Sequence, residues 1–258
     1  MREVLVVAPV TAAEVVEAAR RYVEELAAGT DIRADVVGLR KGPASVETFF
    51  DEAFAAPGVL DVVVRAAGRY QGVIVNCFAD PGVEAARELV DIPVVGPAEA
   101  SMLLALTLGH KFAVVSTFAN SGPWVERQAR AWGLSSRLAW ATGVEMPVLE
   151  LAADSATSAR LIGDACLEAV RRRGAEVIVL GCTAMAGLAE TIRRRLAEEG
   201  LDVPVIEPLA AAFRMLQALL ELGWKRRAPR GGSGCAPGGA LGCAPGGALG
   251  RAPGCPGR

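Results

Sequence analysis

One histidine, His110, serves the whole 258-residue chain, and it sits in LGHKF, which reads as a turn between a helix and a strand. A His-based triad, a multi-His metal site and a His acid/base pair all need what this inventory does not hold. Phosphate cradles are missing as well: there is no G-x-x-x-x-G-K-[ST] loop and no strand-linked G-x-G-x-x-G, so a nucleotide cofactor finds no seat. No CxxC pair is present for dithiol redox chemistry. No apolar run approaches the roughly 18 to 20 residues that cross a bilayer, so a membrane partner is not expected. Aromatics are few, with 7 Phe, 4 Trp and 2 Tyr.

What is present divides in two. The last 34 residues, 225 to 258, carry 11 of the 29 Gly, 5 of the 15 Pro, 3 of the 6 Cys, six basic residues and no acidic one. Residues 234–241 and 242–249 repeat the octapeptide GCAPGGAL, a composition with almost no apolar bulk to bury. A disordered, Gly/Pro/Cys-rich basic tail is expected there. The first 224 residues then hold 21 Lys+Arg against 29 Asp+Glu. This acidic body offers no basic face to a phosphate backbone, and no nucleic-acid partner is expected of it. VLVVAPVTAA, residues 4 to 13, is followed at once by the charged EVVEAARRYVEEL, the pattern of a buried first strand feeding a helix rather than of a signal peptide. A cytoplasmic location follows from that reading, and free thiols there are packing, catalytic or metal-binding groups rather than disulfides.

Along the body, short β-branched runs alternate with amphipathic stretches. The strands are expected at 4–8, 31–39, 72–76, 92–96, 112–117, 176–181 and 203–207. Near-continuous apolar strands separated by charged helices predict an α/β fold with parallel sheets covered on both faces. The segments starting at Gln71 and Ala175 follow one plan: strand, Cys, a Gly-containing turn, a charged helix, then a strand opening Ile-Pro or Val-Pro. Cys77 and Cys182 lie 105 residues apart and Pro93 and Pro204 lie 111 apart, a difference that one helix-plus-loop insertion would supply. Two α/β lobes related by a pseudo-twofold are expected, residues 1–96 plus 208–224 forming the first and 97–207 the second. Ligands of open α/β sheets bind outside the carboxyl ends of the strands. Two facing lobes would therefore place Cys77 and Cys182 on opposite sides of one cleft.

Cys166 lies on the apolar side of a helix and reads as core, and Cys235, Cys243 and Cys255 fall in the tail. At a strand-to-helix junction a thiol feels the positive end of the helix and nearby N–H groups, which favours thiolate. Two opposed thiols can move a proton across a planar carbanion, one abstracting it and the other delivering one to the opposite face. The developing enolate needs hydrogen-bond donors. Phe78 and Ala79, and Thr183 and Ala184, supply N–H groups after each cysteine. Ser116 and Thr117 close the strand FAVVST, where their hydroxyls either face the cleft or cap the following helix. No metal ligand set is expected.

The blocks NCFADPGVEAARELVDIPVVGPAEA, GPASVETFFDEAFAAPGVL, KFAVVST and VLGCTAMAGLA resemble the hydantoin racemases of the Asp/Glu/hydantoin racemase superfamily, over residues 3 to 224. The resemblance implies two flavodoxin-like lobes with the active site in the cleft between them. It implies a cofactor-independent racemase acting at C5 of 5-monosubstituted hydantoins, with Cys77 and Cys182 as its acid/base pair. Pro9, Thr11, Phe78, Ser116, Thr117, Thr183 and Ala184 are the matching substrate-binding positions, and a homo-oligomer is implied. Where the family usually has Asn-Pro-Asn followed by a hydroxyl residue, this chain has Ala8, Pro9, Val10 and Thr11; where this branch often has Ala-Gly, it has Thr183 and Ala184. Allantoin racemase, an Asp/Glu racemase and a non-catalytic two-lobed small-molecule binding protein are the competing readings. A second carboxylate would need cations that the cysteine blocks lack, and an arylmalonate-type decarboxylase would seldom keep both cysteines.

Overall fold

A computed structural model describes residues 1–118, 120–148, 151 and 155–224. The expectations for the 225–258 tail, its three cysteines included, fall outside the described residues. Two four-stranded parallel sheets carry the chain. The first has the order β2-β1-β3-β4, from β1 (Arg2–Val7), β2 (Ile32–Val37), β3 (Gly72–Val75) and β4 (Val94–Val95). The second repeats that order as β6-β5-β7-β8, from β5 (Phe112–Ser116), β6 (Leu138–Gly143), β7 (Val177–Leu180) and β8 (Val205–Ile206). Every pairing within them is parallel. The order is that of a flavodoxin-like sheet. β3, β5 and β7 are buried at every position, because helices cover both faces and leave no polar side to alternate.

Six of the helices are α1 (Ala13–Ala27), α2 (Phe49–Ala66), α3 (Val83–Leu89), α5 (Ser121–Ala131), α6 (Ser155–Arg173) and α7 (Leu188–Glu198). Two others, α4 (Pro97–Leu108) and α8 (Pro208–Glu221), open on a proline at the position where a missing N–H costs nothing. Those two exchange sheets. Ala98, Met102 and Ala105 of α4, which follows the first sheet, are buried in the core of the second with Phe112, Val114, Val177 and Val179. Leu209, Ala212, Phe213 and Leu216 of α8 are buried against Val4, Val6 and Ile74 of the first. Each sheet is thus closed on one face by a helix that leaves the other.

Three features depart from the sequence expectation. β6 (LAWATG) supplies an eighth strand, with only one β-branched residue and half-buried at every position. α2 runs for 18 residues through an internal Pro57, held at its start by a reciprocal capping box between Thr48 and Asp51. The six extra residues between Cys182 and Pro204 are a lengthening rather than an inserted element: α7 has 11 residues against the 7 of α3, and the segment from α7 to Pro204 is two residues longer than its counterpart, while the 3-10 turn (Thr183–Met185) occupies positions that the first half also has. Among the described residues no helix is long and apolar enough to cross a membrane.

Candidate active site

The carboxyl ends of both sheets open on one cavity. From the first sheet come Pro9 and Val10 after β1, Ser45 and Val46 after β2, and Asn76 through Ala79 after β3. From the second come Ser116 and Phe118 after β5, Val148 after β6, and Gly181 through Ala184 after β7. One face of α5, Ser121, Trp124, Val125 and Gln128, completes the wall at helical spacing. The space is about 60 Å³, room for about four waters and so for a small flat ring. Pro9, Phe78, Ser116, Thr183, Ala184 and both cysteines are brought together here. Thr11 is not: it is exposed, and its N–H and hydroxyl both donate to the Pro43 carbonyl, fixing the loop after β2. Thr117 lies directly behind the wall, fully buried.

Each thiol receives an N–H from two residues on, Ala79 for Cys77 and Ala184 for Cys182, so the repeat extends to the electrostatics. The α-helices themselves begin farther away, capped at Gly82 and Gly187, both in the left-handed region (φ 72° and 83°) that glycine enters freely. Helix-dipole stabilisation fades within a turn, and these caps are five residues past each thiol. The expected lowering of the thiol pKa is reversed. Burial pushes Cys182 up to about 11 and Cys77 further, the nearby Cys182 charge also opposing ionisation of Cys77. The Thr117 hydroxyl, which has no partner among nitrogen and oxygen groups, favours the ionised form of Cys182. Cys77 has no such hydroxyl, and the pair is electrostatically unequal.

Ser116 does not cap α5. Its hydroxyl donates to the Gly181 carbonyl at 2.9 Å, stitching β5 to β7 beneath Cys182. Gly181 is obligatory here, since an added Cβ would lie 2.8 Å from Ser116 Cβ. Thr183 Oγ1 donates to the Asn76 carbonyl at 3.5 Å, across from one cysteine turn to the other. Gln128 Nε2 donates to the Phe78 carbonyl at 2.9 Å, tying the Cys77 turn to α5. The segment leading into α2 closes the same side. Glu47 Oε1 accepts from Ser45 and from the Val148 N–H, Glu52 pairs with Arg127, and Phe49 packs on Trp124 at 5.1 Å. Phe118 packs on the same indole, at 5.4 Å.

Among the described residues four buried side-chain polar atoms lack a nitrogen or oxygen hydrogen-bond partner: Asn76 Oδ1, Ser121 Oγ and Trp124 Nε1 belong to residues lining this cavity, and Thr117 Oγ1 lies behind it beside Cys182. Leaving such groups unpaired costs about 1 to 3 kcal/mol each, so their clustering marks a place where a ligand supplies the partners. Asn76, Ser121, Trp124 and Gln128 were not anticipated. The signal was there for α5, where Ser121 and Gln128 share the buried face with Trp124 and Val125. His110 is exposed and makes only backbone bonds, and Cys166 is fully buried in the core of the second sheet. No group of three His, Cys, Asp or Glu side chains suited to a metal ion occurs among the described residues.

Known proteins resemble this chain in sequence and fold. A hydantoin racemase of Paenarthrobacter aurescens is 34% identical over 225 residues, 86% of this chain and 92% of that one. A hydantoin racemase of Pseudomonas sp. (strain NS671) is 33% identical over 202 residues, 77% and 78% of the two chains. Allantoin racemase from Pseudomonas fluorescens superimposes with a TM-score of 0.83 at 32% identity, covering 91% of this chain and all of that one. The Asp/Glu/Hydantoin racemase family model matches residues 4–216. With both sheets, both cysteine turns and the cavity between them inside that span, the chain belongs to the Asp/Glu/hydantoin racemase family.

Proposed function

We propose that this chain is a cofactor-independent racemase that inverts C5 of 5-monosubstituted hydantoins by passing a proton between Cys77 and Cys182. The observation that carries this reading is the placement of the two thiols on strand ends of different sheets around one cavity, each with an N–H from the residue two positions on. In the reaction one cysteine, as thiolate, takes the C5 proton. The electron pair delocalises into the neighbouring ring carbonyl, and the opposite thiol delivers its proton to the other face. Reversing the roles serves the other enantiomer. The enolate oxygen and ring N–H groups need partners, and the unpaired Asn76, Ser121 and Trp124 supply an acceptor, a hydroxyl and an N–H donor. Ser116, Thr183 and the backbone at Phe78 and Ala184 hold the turns and line the ring site; Pro9 does so from β1. Thr11 acts at a distance, through the Pro43 loop.

Val10, Val46, Phe118, Trp124, Val125 and Val148 make most of the wall apolar, which favours an apolar C5 substituent over the ureido group of allantoin. Allantoin stays as the second reading because the solved allantoin racemase covers so much of the chain. Among the described residues no Lys or Arg lines the cavity to hold the second carboxylate of aspartate or glutamate. Assembly as a cytoplasmic homo-oligomer and division into lobes 1–96 plus 208–224 and 97–207 belong to the same reading. Cys77→Ser and Cys182→Ser are each expected to lower racemisation of 5-benzylhydantoin by about 10² to 10⁴. Near-wild-type rates in either variant would remove the two-thiol assignment.

A further inference from the structure

The two halves differ in how they hold their cysteine turns. Asp80, three residues after Cys77, adopts a left-handed backbone (φ 53°) that a non-glycine residue seldom enters. Its carboxylate reaches out of the turn to the start of α4, where Oδ1 accepts from the Ala98 N–H at 3.1 Å and Oδ2 from the Glu99 N–H at 3.0 Å. Gly96 makes this possible, because a Cβ there would fall inside the Asp80 carboxylate. Arg87 of α3 reinforces the junction, donating to the Val94 carbonyl and pairing with Glu99. In the other half the position matching Asp80 is Met185, buried in an apolar core, and α8 is capped by its own Glu207 through Leu209 and Ala210 N–H groups. The carboxylate cap thus comes from the cysteine turn in one half and from the helix start in the other.

The consequence follows from where α4 packs. Ala98, Met102 and Ala105 belong to the core of the second sheet and Ala100 to that of the first, while the Cys77 turn ends a strand of the first. We propose that Asp80 is a positioning residue, a latch that fixes the Cys77 thiol across the cleft by tying its turn to a helix seated on the opposite sheet, with Gly96 as its socket. Burial and Glu99 push the Asp80 carboxyl up to about 8, against the pull of the two N–H bonds. An asparagine, which keeps one acceptor in place, should therefore substitute in part.

This inference rests on the two-thiol reading, and the test separates the two. In the full-length protein, Asp80→Ala, Asp80→Asn, Gly96→Ala and the Asp80→Ala/Gly96→Ala double variant are compared for kcat, KM, melting temperature and iodoacetamide labelling of each cysteine by peptide mass spectrometry. Misplacing a reacting group by about 1 Å costs on the order of 10² in rate. Asp80→Ala and Gly96→Ala are each expected to lower kcat by about 10 to 10² with KM within about threefold. Cys77 should label several-fold faster while Cys182 is unchanged. Asp80→Asn should recover part of the rate, and the double variant should be no worse than either single one. Wild-type kcat and Cys77 labelling in Asp80→Ala would overturn the latch, as would equal acceleration at both cysteines with a collapsed melting transition. If the wild type racemises no hydantoin, the substrate reading fails and the labelling comparison alone decides the latch.

Discussion

Cys77 and Cys182 start from neutrality rather than from charge. With Cys182 raised to about 11 and Cys77 further, the form holding one thiolate and one thiol is scarce at pH 7 and grows about tenfold per pH unit below those values. The free-enzyme kcat/KM is therefore expected to climb from pH 7 to pH 9 with a slope near one; a flat profile over that range would show that the thiols ionise earlier. The same shift affects stability. Unfolded thiols ionise near their ordinary value while the folded ones stay protonated, so their contribution is intact below about pH 8.5 and is lost as pH rises toward 11. Trp124→Phe tests the unpaired indole. It keeps the aromatic packing with Phe49 and Phe118 and removes only the N–H, so steady-state kinetics should show kcat/KM falling about 3- to 10-fold, with unchanged values placing the N–H outside the reaction.

At the scale of elements, legibility tracked how directly a residue's pattern reports its surroundings. The buried strands VLVV, GVIV, FAVV and VIVL announced themselves because parallel sheets covered on both faces demand unbroken apolar runs. β6 escaped because LAWATG is rich in Ala and Gly, and its place at a sheet edge is set by pairing with β5 rather than by propensity. The cysteine turns were legible through the repeat, whereas their electrostatics were not: sequence shows a thiol beside a helix, but not that Gly82 and Gly187 start the helix a turn later. The polar residues of α5 carry little signal by themselves, since Ser121 and Gln128 look like surface residues until the cavity is placed beside them. α2 offers a clean test. Thr48→Ala removes one half of its capping box and is expected to cost about 1 kcal/mol of stability in a denaturant titration. It should raise KM more than it lowers kcat, because the segment carrying Glu47 and Phe49 braces the cavity wall rather than the thiols.

For the whole molecule, the exchange of α4 and α8 between sheets makes the cleft a property of both halves at once. Each sheet takes cover from a helix that leaves the other, and the cavity-lining residues, drawn from the strand ends of both sheets and from α5, span positions 9 to 184. The family match ends at residue 216, before the 225–258 tail begins. A chain ending at Trp224 is expected to keep its melting temperature and its racemisation rate; loss of either would assign the tail a part in folding or turnover. The central claim is that a proton leaves one face of a ring carbon and another arrives on the opposite face. Enantiopure 5-benzylhydantoin in D2O tests it directly, with optical rotation and C5 deuterium followed together. We expect rotation to decay enzymatically toward zero while deuterium appears at C5 of the inverted enantiomer. A protein that binds the compound but changes neither signal above the uncatalysed background would contradict the assignment.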